Sequence, residues 1–186
     1  RETRESNTSY AQGGIASVSA GDDSAEMHVR DTLEAGAGLC DPVAVEVGVR
    51  EGPALVEELI DLGTRFSRKS SGELSLGREG GHSRARIVHA DDLTGQEISR
   101  ALQATLASMP SVSIFDYHLA VDLIVDQTPR CRGVHALDTR SGRVVAFTAP
   151  VTLLATGGAG QIYASTTNPA VATGDGIAMA FRAGVT

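Results

Sequence analysis

Hydrophobic residues fall into two regimes along this chain. In the first half they recur at helical spacing, with polar and Gly-rich stretches between. After residue 110 they alternate or run together in short bursts, as strands do.

A first helix is predicted through Met27, Val29 and Leu33, capped by Asp22 or Asp23. Asp41-Pro42 opens a second, with Asp at the N-cap and Pro at the first helical position. Val45 and Val49 share its face, and Pro53 ends or kinks it. Leu55, Val56, Leu59, Ile60 and Leu62 continue the period to a stop at Gly63. Phe66–His82 reads as loop or short strand. Thr94–Met109 is amphipathic through Ile98, Leu102 and Leu106, and Thr94-Gly95-Gln96-Glu97 fits a capping box.

Beyond it, Val112–Phe115 is short and β-prone, and Leu119–Val125 alternates around Asp122. Gly133–Asp138 and Arg143–Phe147 flank the turn Thr139-Arg140-Ser141-Gly142. Val151–Ala155 reads as a buried apolar strand running into Thr156-Gly157-Gly158, and Asp175–Ala183 as a helix stopped by Gly184. The fold class expected is α/β, with a helical segment, a small β-meander and a Gly-rich turn.

Composition narrows the function. The 186 residues are 41% hydrophobic, which supports a packed core and excludes global disorder. A net charge of −7, with Lys69 as the single lysine, argues against nucleic-acid or anionic-membrane partners. Cys40 and Cys131 are too few for a disulfide framework and point to a reducing, cytoplasmic setting. They read as small buried hydrophobes. The stretch from Val144 to Gly174 carries no charge, but Pro150, Gly157, Gly158 and Asn168 interrupt it, and no membrane-spanning run emerges. No signal peptide is visible. The abrupt ends at Arg1 and Thr186 suggest a piece of a longer protein.

Glycines gather in three places: Gln12-Gly13-Gly14, Glu79-Gly80-Gly81-His82-Ser83, and Ala155-Thr156-Gly157-Gly158 with Thr173-Gly174-Asp175-Gly176. Glycine lets a backbone approach a ligand and expose N–H groups to anions, although each cluster also reads as a plain tight turn. The G-x-G-x-x-G fingerprint is missing, so any first βαβ unit lies upstream of Arg1. Asp175 reads as a helix cap, as a carboxylate accepting from ligand hydroxyls, or as both. His82 and His89, near Asp91 and Asp92, match no zinc spacing, and no metal is expected. No nucleophilic triad is recognisable, and no catalytic residue is assigned. His28, His118 and His135 read as surface or strand histidines. Arg84 and Arg86 either hold an anion or are solvated charges.

Taken together, these motifs resemble the succinate dehydrogenase/fumarate reductase flavoprotein superfamily across essentially the whole chain. Tyr10-Ala11-Gln12-Gly13-Gly14-Ile15 is similar to its flavin-contacting loop, and Thr167-Asn168-Pro169 with Thr173–Ala180 to a second signature. Arg78–Ser83, Arg86–Ala90 and Asp92–Gly95 resemble the L-aspartate oxidase branch.

The resemblance implies an incomplete FAD-binding domain of the Rossmann-like, glutathione-reductase type, without its first βαβ unit or capping domain. Residues 1–19 would be the flavin loop, 22–93 a helical and loop segment with a substrate loop at 78–95, and 94–186 the helix, meander, strand and Gly-rich turn. Asn7, Thr8, Ser9, Tyr10, Ala11, Gln12, Gly13, Gly14, Ala155, Thr156, Gly157 and Asp175 would contact FAD. Glu79 and His82 would bind substrate, with His82 supporting either the carboxylates or the loop.

The implied reaction oxidises L-aspartate to iminoaspartate, with oxygen or fumarate as acceptor. It is the first step of de novo NAD synthesis, with possible hand-off to quinolinate synthase. Residues 1–186 alone are expected to bind FAD weakly or not at all, without turnover. A fumarate reductase or succinate dehydrogenase flavoprotein is the near alternative. A non-enzymatic nucleotide-binding α/β module is the distant one.

Glu79 discriminates between the first two. Succinate and fumarate carry two carboxylates and no cation, so a nearby carboxylate repels them. Aspartate adds an ammonium, to which a glutamate offers a charge-assisted hydrogen bond. Read without the resemblance, Glu79 has a second, lesser reading as a solvated loop charge.

Overall fold

A computed structural model describes residues 5–185. Residues 1–4 and Thr186, at the outer ends of the expected flavin loop and of the expected C-terminal segment, lie outside the described residues. The chain divides into two units, residues 8–112 and residues 113–185 with 5–7.

The first unit opens with a short helical turn at Thr8–Tyr10, followed by β1 (Ile15–Ala16), α1 (Ala25–Ala35) and α2 (Pro42–Asp61). After these come β2 (Leu76–Gly77), β3 (Ile87–Val88) and α3 (Thr94–Ala107). The three short strands form an antiparallel sheet in the order β1-β3-β2, with Ile15 opposite Val88. Val88 is fully buried and joins Val56 of α2 and Phe66 to make the core, closed by Leu59, Ile60, Leu74 and Ile98.

Three terminus expectations change here. Ser24, not Asp22 or Asp23, caps α1 by accepting from the Met27 N–H. Asp23 is drawn instead into a buried ion pair. The α2 cap holds as expected, Asp41 accepting from Val43 and Ala44, but the helix runs through Pro53 to Asp61. Burial of Val49 and Val56, on either side of the proline, outweighs one lost backbone hydrogen bond. The capping box does not form. Leu93 stands at the N-cap of α3, Thr94 Oγ1 turns back to accept from the Ala90 N–H, and Glu97 accepts from the Arg65 N–H.

The second unit is built on the expected meander. It comprises β4 (His118–Val125), β5 (Cys131–Asp138) and β6 (Arg143–Thr148), all antiparallel, with Asp138 opposite Arg143 across the turn. Asp138 fixes that turn by accepting from the Arg140 N–H and the Ser141 hydroxyl. A short helical turn (Gly160–Ile162) and α4 (Asp175–Arg182) follow, and Arg182 reaches back to Asp122 on β4.

Val112–Phe115 is not a strand; Phe115 packs its ring on His118 and Phe147. Val151–Ala155 is not a strand either. Val151 is 80% and Leu153 87% exposed, since among the described residues no strand pairs with the segment and an apolar run alone cannot make a sheet. Every strand pairing among the described residues is antiparallel, so the α/β expectation is met only in coarse outline. Cys40 and Cys131 are free and half-buried, not buried as expected.

Candidate functional site

Two glycine-enabled close approaches shape the loop from Thr8 to Gly14. The first residues form a helical turn, and the Gly95 N–H at the start of α3 donates to the Ala11 carbonyl. A Cβ on Gly95 would collide with the Thr8 carbonyl oxygen and stand 2.8 Å from Ala11 Cβ. A Cβ on Gly14 would strike the Val88 carbonyl oxygen of β3. The segment between is exposed at Ala11, Gln12, Gly13 and Gly14. No hydrogen bond among the described residues takes up the Gln12 and Gly13 N–H groups. A bare backbone turn clamped at both ends fits an anionic or polar cofactor chain.

Glu79 lies against this turn. A Cβ built on Gly13 would stand 3.5 Å from Glu79 Oε1. The structure thus brings Glu79 and the Gln12-Gly13-Gly14 turn together within one unit. Gly81, at φ +82°, turns the loop so that the His82 N–H donates to the Glu79 carbonyl at 3.3 Å, while Arg78 Nε donates to the His82 carbonyl.

Beneath the loop is a cluster that sequence reading missed. Arg86, next to β3, is fully buried, neither solvated nor free to hold an anion. Its Nε and Nη2 donate to the two carboxylate oxygens of Asp23, each at 2.8 Å, and its Nη1 to Asp31 Oδ2 at 2.6 Å. Asp31 also accepts from the Ser83 N–H and hydroxyl. His82 Nδ1 lies 3.1 Å from Arg86 Nη1. His28 is buried on α1, not on the surface, with its ring 5.7 Å from that of His82. Arg84 is exposed and donates to the Asp22 carbonyl. The fork geometry of Arg86 and the two carboxylates bolts the Glu79 loop and β3 to α1.

Asp23, Asp31 and His28 titrate away from their usual ranges. The Arg86 hydrogen bonds hold the Asp23 carboxyl below its usual range. For Asp31, burial pushes upward, but the Ser83 and Arg86 donors overcome it and the carboxyl ends well below the usual range. Burial, with the neighbouring Arg86, pushes His28 down. Since folded His28 resists protonation, its contribution to stability is complete above about pH 6.5 and is lost as pH falls below that value. The two aspartates contribute stability complete above about pH 4, lost on further acidification. The urea midpoint is therefore expected to fall in two stages on acidification. His28→Leu should abolish the upper stage, and a wild-type midpoint flat from pH 7.5 to 5 would contradict the assignment.

In the second unit the Ala155–Gly158 segment lies against the start of α4, and Asn7, of the same unit, is exposed. The Gly174 N–H donates to the Gly158 carbonyl, and Gly176 is so close to Thr156 that a Cβ there would collide with its hydroxyl. Ala155, Thr156, Gly157 and Asp175 are all exposed. Gly174, at φ +77°, is the N-cap of α4, and Asp175 is its first residue, accepting from the Thr173 hydroxyl. The cap reading of Asp175 is thereby replaced. A separate cleft between Val18–Gly21 and α2 residues Pro53, Val56 and Glu57 is lined by none of the individual cofactor- or substrate-binding residues expected from sequence. Among the described residues no cluster could hold a metal.

Known proteins resemble this chain in sequence and in fold. The chain is 53% identical over 185 residues to the chloroplastic L-aspartate oxidase of Arabidopsis thaliana, covering 98% of this chain and 28% of that protein. It is 46% identical over 191 residues to L-aspartate oxidase 1 of Ralstonia nicotianae, covering 99% of this chain and 36% of that protein. The structure superposes on quinol fumarate reductase from E. coli with a TM-score of 0.90 and 35% identity, over 95% of this chain and 30% of that one. The chain thus spans about a third of the length of the curated relatives it matches. The model of the FAD binding domain matches residues 1–186. On this match the chain belongs to the FAD binding domain family of the succinate dehydrogenase/fumarate reductase flavoprotein superfamily, whose cofactor is FAD.

Proposed function

We propose that this chain is part of an FAD-dependent L-aspartate oxidase that converts L-aspartate to iminoaspartate with oxygen or fumarate as acceptor. The observation that carries the reading is the Glu79 carboxylate beside Gly13 in the exposed Gly-rich turn. Bound FAD would supply the two-electron acceptor.

This chain's own residues bind and orient. Asn7, Thr8, Ser9, Tyr10, Ala11, Gln12, Gly13 and Gly14 would hold the cofactor through backbone and short polar groups. Ala155, Thr156, Gly157 and Asp175 are assigned the same task in their own unit. Glu79 would accept from the substrate ammonium, and His82 would face a carboxylate. That pairing selects an amino diacid over a plain diacid by charge.

In the full-length enzyme, Glu79→Gln is expected to raise KM for L-aspartate roughly 10- to 150-fold, the span of one lost hydrogen bond to a charged group. Fumarate reduction should be spared. Equal damage to both would favour a fumarate reductase or succinate dehydrogenase flavoprotein, the reading supported by the E. coli superposition.

The product is consistent with the first step of NAD synthesis and with hand-off to a quinolinate synthase. No helix among the described residues is long and apolar enough to cross a membrane. The plant relatives are chloroplastic, and the cytoplasm is our proposal for this chain.

A further inference from the structure

We propose that Arg86 is a positioning residue for substrate. Clamped between Asp23 and Asp31, it holds His82 in one tautomer, Nδ1 accepting from the guanidinium and the ring N–H at Nε2. It thereby presents a fixed donor to a substrate carboxylate from the loop that carries Glu79. The inference rests on the dicarboxylate-binding reading above and deepens it.

The argument begins with donor and acceptor inventories. A guanidinium has five N–H donors and no acceptor, so an atom facing it at hydrogen-bond distance must itself accept. His82 Nδ1 lies 3.1 Å from Arg86 Nη1 and is therefore the unprotonated ring nitrogen. Arg86 cannot swing aside to relax this constraint. Three of its N–H groups are spent on Asp23 and Asp31, and its side chain is fully buried. Asp31 is fixed in turn by two donors from Ser83, the residue next to His82. The backbone of His82 is tied at both its N–H and its carbonyl. Arg86 and His28 lie against the ring, with Asp31 and Asp23 behind Arg86. The half-buried ring keeps one N–H, and an N–H donor suits a carboxylate.

The test uses full-length, FAD-loaded enzyme. Nitrogen-15 spectra of labelled histidine rings, with His82 assigned through His82→Ala, are expected to show the proton on Nε2; a proton on Nδ1 overturns the proposal whatever the kinetics. Arg86→Lys keeps the charge but replaces the fork with a point donor unable to serve both carboxylates and the ring. It is expected to raise KM for L-aspartate and the inhibition constant of succinate roughly tenfold, one hydrogen bond to a charged group, with kcat within about twofold.

The decisive comparison is a double-mutant cycle. If Arg86 acts through His82, its effect on KM disappears in the His82→Ala background; additive effects mean a merely structural role and overturn the proposal. If Arg86→Lys does not fold, Asp31→Asn takes its place in the same cycle. Failure of the wild type to oxidise L-aspartate would refute the functional reading alone. Succinate binding and the ring spectrum would still decide the positioning role.

Discussion

Arg86→Met is expected to cost about 3–5 kcal/mol of folding stability at neutral pH, the size typical of breaking a buried ion pair from one side. The substitution fills similar volume, so packing alone predicts little. The loss comes from electrostatics. The Asp23 side chain is fully buried and Asp31 only 7% exposed, and both would be left facing apolar surroundings without their cation. The sign of the pH dependence follows. With Arg86 present, both carboxyls titrate below their usual range. Without it, burial raises them, so the folded mutant takes up protons more readily than the wild type. The stability gap between the two should therefore narrow on acidification from pH 8 to 5. Urea denaturation across that range checks both statements, and a loss below about 1 kcal/mol at pH 8 would mean the network is a weak surface-like pair. A further control is Asp23→Asn and Asp31→Asn added to Arg86→Met, expected to recover part of the loss by removing the orphaned charges.

That network marks the limit of what the sequence discloses. Local signals were legible. Asp41 before Pro42 caps α2 as expected, and the expected turn Thr139-Arg140-Ser141-Gly142 joins two strands of the meander, with Asp138 opposite Arg143. Each signal depends on neighbours a few residues away. Arg86 and Asp23 are 63 residues apart, and nothing in the local pattern of either distinguishes a buried partner from a solvated charge. The same reason explains Ser24. Asp23 is the stronger-looking cap until a distant arginine claims it, and the adjacent serine takes over. Val151–Ala155 erred in the opposite direction. A strand is a property of a pair, and an apolar run carries no information about whether a partner lies beside it. The Gly-rich turn and Glu79 were visible as motifs, but their proximity was legible only through resemblance.

Gly95 carries the same lesson and the second large expectation. It sits in the first turn of α3, at a position the sequence marks as the middle of a capping box and the end of the Asp92–Gly95 motif, without a packing role. In a helix, alanine is ordinarily the better residue by roughly 1 kcal/mol, so propensity predicts that Gly95→Ala stabilises. Geometry predicts the reverse. The added methyl would meet the Thr8 carbonyl carbon at 2.9 Å and Ala11 Cβ at 2.8 Å, against backbone that a rotamer change cannot relieve. Either α3 shifts, straining Ile98 against the core, or the Thr8–Ala11 turn lifts and the Gly95 N–H to Ala11 hydrogen bond breaks. Lifting the turn is the cheaper response, because that loop is exposed and α3 is not free to move. The expected outcome in the full-length protein is a modest loss of stability, about 1–3 kcal/mol as for overpacking, with a disproportionate loss of FAD affinity of at least roughly tenfold. Fluorescence titration of apoprotein with FAD, beside a melting curve taken without it, separates the two. If Gly95→Ala melts higher than the wild type and binds FAD as tightly, the close approach of α3 to the Thr8–Ala11 turn is wrong.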